Sequence, residues 1–170
     1  MSDLAKLAAR VITVARENSI TIATAESCTA GCLSTLLADT PNAGEVFQGG
    51  FVVYSKRQKI AALGVPPNLI KAHTAVSRQV AEAMAQGVID RCAANLAIAI
   101  TGVAGPVPDE DGNPVGLMHI AVACRDRGIR HVEHQFEGDD RSALRASAME
   151  AALLTAREWL RQISTLDRRR

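Results

Sequence analysis

Four side chains able to take part in chemistry follow one another in the stretch "TAESCTAG": the carboxylate of Glu26, the hydroxyl of Ser27, the thiol of Cys28 and the hydroxyl of Thr29. The apolar run before them, "ITIATA", reads as a short strand. The spacing of Leu33, Leu36 and Leu37 after them reads as a helix from about Cys28 to Ala38. A serine or cysteine at a strand-to-helix turn has the geometry of a nucleophile elbow, although Glu26 and Cys28 flank Ser27 where that motif has x and x between glycines. A serine needs a base to take its proton. The histidines, His73, His119, His131 and His134, fall in or beside expected elements, and His119 and His131 read as ordinary strand residues. A lysine serves when burial or a neighbouring cation lowers its pKa. "YSKRQK" puts Tyr54, Lys56 and Lys59 just past a second strand, at the same sheet edge as Ser27. Residue types alone leave two choices open. Cys28 is intrinsically the better nucleophile, and a helix N-terminus favours its thiolate, while a serine there is often only an N-cap. Lys56 and Lys59, three apart, share a helix face, so either serves as base. Glu26 reads as an acceptor for backbone N–H groups or as an orienter of a lysine, and Cys32 as buried filler.

The elements that must position these groups alternate along the chain. An amphipathic helix over 3–17 buries Leu4, Leu7, Ala8, Val11, Val14 and Ala15. After the turn and its helix come a loop at 40–44, a strand at 51–55 ("FVVYS") and a short helix stopped by Gly64 and Pro66-Pro67. Ser77 caps a helix running to about Arg91. "LAIAIT" (96–101) is a continuous apolar strand of the kind buried on both faces. A Gly/Pro-rich loop leads to "LMHIAVAC" and "RHVEHQF", read as a hairpin, and a last helix runs from Arg141 to about Ile163. The order α-β-α-β-α-α-β-β-β-α predicts a layered α/β/α sandwich around a mixed β-sheet, in one domain over 1–166, followed by a solvated basic tail at 167–170.

In such a sheet, ligands gather at the carboxyl ends of strands. Besides "AESCTAG", the loop "TGVAGP" after the buried strand and "EGDDR" before the last helix lie there. Backbone N–H groups and helix starts in such loops favour anions. Neither loop matches a P-loop or G-x-G-x-x-G pattern. The bulk properties narrow the rest. Charges nearly cancel, 19 Lys+Arg against 18 Asp+Glu, which argues against nucleic acid or a membrane surface as partner. The N-terminal segment mixes charges at helical spacing, so no secretory leader is expected and a cytoplasmic location follows. Its four cysteines are then expected reduced, and Cys28 and Cys32 lack the neighbours a zinc site needs. Neither metal nor cofactor is expected.

Taken in order, "TAESCTAG", "FVVYS" with its downstream lysine and "LGV", "AVS", "TGVAGP" with "NPVG", and "FEGDDR" resemble the CinA C-terminal domain family over nearly the whole chain. Characterised members of that family are nicotinamide-nucleotide amidases. The resemblance implies a stand-alone amidase that converts the carboxamide of nicotinamide mononucleotide to the acid, releasing ammonia. It implies Ser27 as nucleophile, Lys59 as general base and Tyr54 as its helper. For such a reaction the backbone N–H groups of Cys28, Thr29, Ala30 and Gly31 are the candidates to hold the oxyanion, and Thr101, Gly102, Gly105 and Arg141 the candidates to bind the phosphate. A homo-oligomer is also implied. The family's usual "CTGG" here reads "CTAG", so Ala30 is expected to narrow the room at the oxyanion. The position after "YS", commonly Asn, is Lys56. The usual Gly-Gly after "AGP" is Val107-Pro108, followed by Asp109, Glu110 and Asp111, which leaves substrate preference open. The rival expectations are a nucleotide-binding module without turnover, a Cys28-based amidase for another amide, and a partner-binding domain that assembles through the last helix.

Overall fold

The computed structural model describes residues 3–167, so the expected tail, save Asp167, lies outside the described residues. Five strands form one mixed sheet in the order β2-β1-β3-β4-β5: β1 (Ile22–Glu26), β2 (Phe47–Val52), β3 (Leu96–Gly102), β4 (Leu117–Cys124) and β5 (Gly128–Gln135). β1 runs parallel to both β2 and β3, whereas β4 and β5 add antiparallel. The central strands β1 and β3 are almost wholly buried, which is why they read as unbroken apolar runs and not as alternation.

Alternate strand residues feed two cores. Ile22, Leu96, Ile98, Ile100, Met118, Ile120 and Val122 pack under α1 (Asp3–Glu17), α2 (Cys32–Ala38), α3 (Ala43–Val46) and α7 (Arg141–Asp167). On the opposite face, Ala23, Ala25, Ala97, Ala99, Ala121 and Ala123 pack under α4 (Lys56–Leu63), α5 (Pro67–His73) and α6 (Arg78–Arg91). One face of the sheet is large and aliphatic, the other nearly all alanine. The alanine face lets α6 approach closely, and Gly87 continues that logic: a Cβ there would lie 2.3 Å from the carbonyl oxygen of Leu63 in α4. The layered mixed-sheet fold is as expected.

Three local expectations need correction. The second strand is Phe47–Val52, not 51–55. Gly49 and Gly50 lie within it, and position 50 requires glycine because a Cβ there would lie 2.2 Å from the Ser34 hydroxyl and 2.4 Å from that of Thr24. Tyr54 and Ser55 have already left the sheet, and Ser55 caps α4 by accepting from the Gln58 N–H at 3.1 Å. The loop expected at 40–44 contains the start of the short helix α3, and although the preceding helix stops at Gly64 as expected, Pro67 then opens a further short helix, α5, as suits a proline in the first helical turn. Finally, α2 begins at Cys32, four residues later than its leucine pattern suggests. Ala30 (φ 50°) and Gly31 (φ 92°) are left-handed, so residues 27–31 form a turn and not the first helical turn.

Candidate active site

The site opens where β1 and β3 end side by side. Ser27 follows β1 directly, and its N–H donates to the Ile100 carbonyl of β3 at 3.0 Å. Glu26 explains why Ser27 is not the cap of α2. Its fully buried carboxylate accepts from the N–H groups of Gly31 (3.0 Å), Leu33 (3.0 Å) and Ser34 (2.7 Å), and from the Ser34 hydroxyl at 2.6 Å. A glutamate five residues upstream thus does the work normally given to an N-cap. That leaves the Ser27 hydroxyl available. It donates to the main-chain carbonyl of Tyr54 at 3.4 Å and accepts from Lys59 Nζ at 2.7 Å.

Lys59 is the unusual residue. It is 1% exposed, among the largest fully buried side chains of the protein. It shares the buried stripe of α4 with Leu63, one turn on. Its Nζ has two oxygen neighbours, Ser27 Oγ and the Val53 carbonyl at 3.1 Å, and no carboxylate is among its hydrogen-bond partners. Burial pushes its pKa down to about 8; Lys56 pushes the same way, and Cys28 opposes. Of the two lysines left open by sequence, only Lys59 touches Ser27. Lys56 turns outward and pairs with Glu110 at 2.7 Å and Asp111 at 2.8 Å.

Cys28 lies in a different environment. It is 5% exposed, its Sγ is 3.6 Å from Met118 Sδ, and burial raises its pKa to about 11 despite the pull of Lys59. A thiol held neutral is a poor nucleophile. If the site performs amide hydrolysis, Cys28→Ala is expected to keep it within a few-fold of the unmodified protein, read as ammonia released per minute. A loss of a hundredfold would instead make the thiol the nucleophile.

Of the other expected site residues, Thr101, Gly102, Gly105 and Arg141 line one cavity of about 580 Å³ together with Ser27, Cys28, Tyr54 and Lys59. That volume is in the usual range of small-molecule sites, roughly 300–1,000 Å³. Thr101 spends its hydroxyl on the Ala75 carbonyl at 2.9 Å, bracing the loop after α5 against the end of β3. Arg141, first residue of α7, donates to the Gly105 carbonyl at 2.8 Å and to the Tyr54 hydroxyl at 3.1 Å. Tyr54 is 59% exposed. Its phenol reaches Arg141 while only its main-chain carbonyl reaches Ser27, so the ring is a wall of the mouth.

Thr29, Ala30 and Gly31 are absent from the cavity wall. Ala30 is exposed, so its methyl group does not narrow the site as expected; it sits instead in a left-handed conformation that suits the glycine usual there. The Gly31 N–H is taken by Glu26 and that of Ala30 by the Ser27 carbonyl. Arg145, not among the expected site residues, donates through Nη2 to the Thr29 carbonyl and lies 2.7 Å from Cys32 Sγ, pinning the turn to α7. Its position one helical turn after Arg141 was the available signal. Among the described residues, no three His, Cys, Asp or Glu side chains group as a metal site, and no helix is long and apolar enough to cross a membrane.

A family model of the CinA C-terminal domain matches residues 4–160. The chain belongs to that family. It is 40% identical over 143 residues to a putative competence-damage inducible protein of Caldicellulosiruptor bescii, an alignment covering 84% of this chain and 34% of that one. It is 44% identical over 122 residues to a CinA-like protein of Myxococcus xanthus, covering 72% and 29%. The chain thus spans about a third of the length of these curated relatives. Solved CinA-superfamily structures match it almost end to end. The competence/damage inducible protein CihA of Agrobacterium tumefaciens has a TM-score of 0.87 at 37% identity, covering 93% of this chain and 97% of that one. A CinA superfamily protein of Klebsiella pneumoniae has a TM-score of 0.90 at 31% identity, covering 95% and 99%.

Proposed function

We propose that this CinA-family domain is a cytoplasmic serine amidase acting on the carboxamide of a nicotinamide nucleotide, with nicotinamide mononucleotide as substrate. The observation that carries the reading is the 2.7 Å contact between Ser27 Oγ and the buried Nζ of Lys59, whose pKa lies near 8. A solvated lysine near 10.5 is almost never neutral at pH 7, whereas one near 8 is neutral in about a tenth of molecules. In that form its lone pair faces the serine hydroxyl.

Ser27 Oγ attacks the carboxamide carbon as Lys59 takes its proton. The carbonyl π bond opens and the oxygen becomes an oxyanion, held by the N–H of Cys28, the one residue of the 28–31 turn that lines the cavity. Lys59 passes the proton to the amide nitrogen, the C–N bond breaks and ammonia leaves. Water, deprotonated by the same lysine, then hydrolyses the acyl-serine to nicotinate mononucleotide. Arg141 and Tyr54 wall the mouth, where the ribose and phosphate extend; Tyr54 acts here as a positioning residue.

The direct test is to incubate the purified protein with nicotinamide mononucleotide and quantify ammonia and nicotinate mononucleotide together. Equal amounts of both products are expected. Tight binding without product would favour the non-catalytic module. The pH profile tests the base. Because neutral Lys59 is the active form, kcat/KM should rise with unit slope and level off above an apparent pKa near 8. A limb near 6 or lower would point to a different base.

A further inference from the structure

One cation of the pocket mouth makes a contact that the reaction does not use. Lys56 opens α4 and lines the same cavity as Ser27 and Lys59. Its Nζ meets Glu110 Oε1 at 2.7 Å and Asp111 Oδ2 at 2.8 Å, both on the loop between β3 and β4. The ion pair therefore spans the mouth. The loop does not depend on it for shape. The Asp109 carboxylate accepts from the N–H groups of Asp111 (3.0 Å) and Asn113 (2.8 Å) and from the Asn113 side-chain amide (2.8 Å). That amide also reaches the Thr74 hydroxyl at 3.1 Å.

The Lys56 side chain is 35% exposed, that of Glu110 74% and that of Asp111 24%, so the contact is open to solvent on the Glu110 side, where an ion pair is weak. Arg141 is committed to Gly105 and Tyr54. A phosphate entering the mouth carries a denser negative charge than a carboxylate and competes well for an ammonium.

We propose that Lys56 is a ligand for the substrate phosphate and that Glu110 and Asp111 compete for it, so the acidic loop sets how strongly the site prefers a phosphorylated nicotinamide nucleoside over the same nucleoside without phosphate. The proposal rests on the amidase reading above and names the regulator of its selectivity.

The experiment compares kcat/KM for nicotinamide mononucleotide and nicotinamide riboside in the unmodified protein, Glu110→Gln/Asp111→Asn, Lys56→Met and the triple variant. The mononucleotide-to-riboside ratio should rise about tenfold in the double variant and fall about tenfold in Lys56→Met. In the triple variant it should stay at the Lys56→Met value. An unchanged ratio in the double variant overturns the proposal. So does a rise that persists in the triple variant, because the carboxylates would then act by general repulsion and not through Lys56. The calorimetric Kd of ribose 5-phosphate, which requires no turnover, should follow the same order. If the unmodified protein hydrolyses neither compound, the amidase reading falls, while the Kd series still decides whether Lys56 is the contested anion ligand.

Discussion

Ser27→Ala and Lys59→Met are each expected to lower kcat/KM for nicotinamide mononucleotide by more than about a hundredfold, and the double variant by no more than the worse of the two. The non-additivity is the sharper part of the expectation. If Lys59 acts only by taking and returning the proton of Ser27, it has nothing left to do once the hydroxyl is gone. Independent losses that multiply would mean that the lysine also binds or polarises the substrate. Stability separates this from a folding defect. Methionine fills nearly the same buried volume as lysine without a charge to desolvate, so Lys59→Met should fold at least as stably as the unmodified protein near neutral pH. A matched urea midpoint with lost turnover supports a catalytic role. A variant that retains turnover removes Lys59 from the mechanism.

The second large effect concerns folding. Glu26→Ala should destabilise the protein by about 3–5 kcal/mol, read as a lower urea midpoint at unchanged m-value. The carboxylate is itself fully buried and satisfies three main-chain N–H groups and a hydroxyl, those of Leu33 buried and of Gly31 and Ser34 part-buried. Alanine strands the three N–H groups together, and each buried unpaired donor costs about 1–3 kcal/mol. Ser34 alone has a second partner, the Thr24 hydroxyl at 2.7 Å. Glu26→Gln should fall between, because its amide keeps one acceptor oxygen but turns an NH₂ group toward donors. A loss below about 1 kcal/mol in Glu26→Ala would show that the turn relaxes and finds other acceptors.

The layered fold was legible because β3 is an unbroken apolar run and because α1 and α6 carry clear helical periodicity. The dyad's members were legible as types at a strand-to-helix turn and just past a second strand, but choosing Lys59 over Lys56 from the sequence needed the family resemblance. The structural reason for the choice is burial. Lys59 shares a face with Leu63, a pattern that the few apolar residues of α4 barely announce. The role of Glu26 was half legible: an acceptor for backbone N–H groups was one of two readings, and which amides it would serve was hidden. A helix cap is sought at the residue before the helix, whereas here the carboxylate reaches forward past a turn with two left-handed residues. The β2 boundary was misplaced because the apolar run "FVVYS" carried the strand signal, and the close approach of Ser34 that requires glycine at position 50 is a long-range fact.

The buried position of Lys59 also couples folding to proton concentration. With a folded-state pKa near 8 and an ordinary unfolded value of 10.5, the unfolded chain binds more protons than the folded one between those two limits. Stability from this side chain therefore rises as pH climbs through that window, by about 3 kcal/mol in all. Below pH 8 the lysine is charged in both states, and the native state bears the full penalty of hiding that charge. The readiness of the base and a weakness of the fold are thus one equilibrium: a change that makes Lys59 a poorer base at neutral pH by welcoming its proton would also tighten the protein.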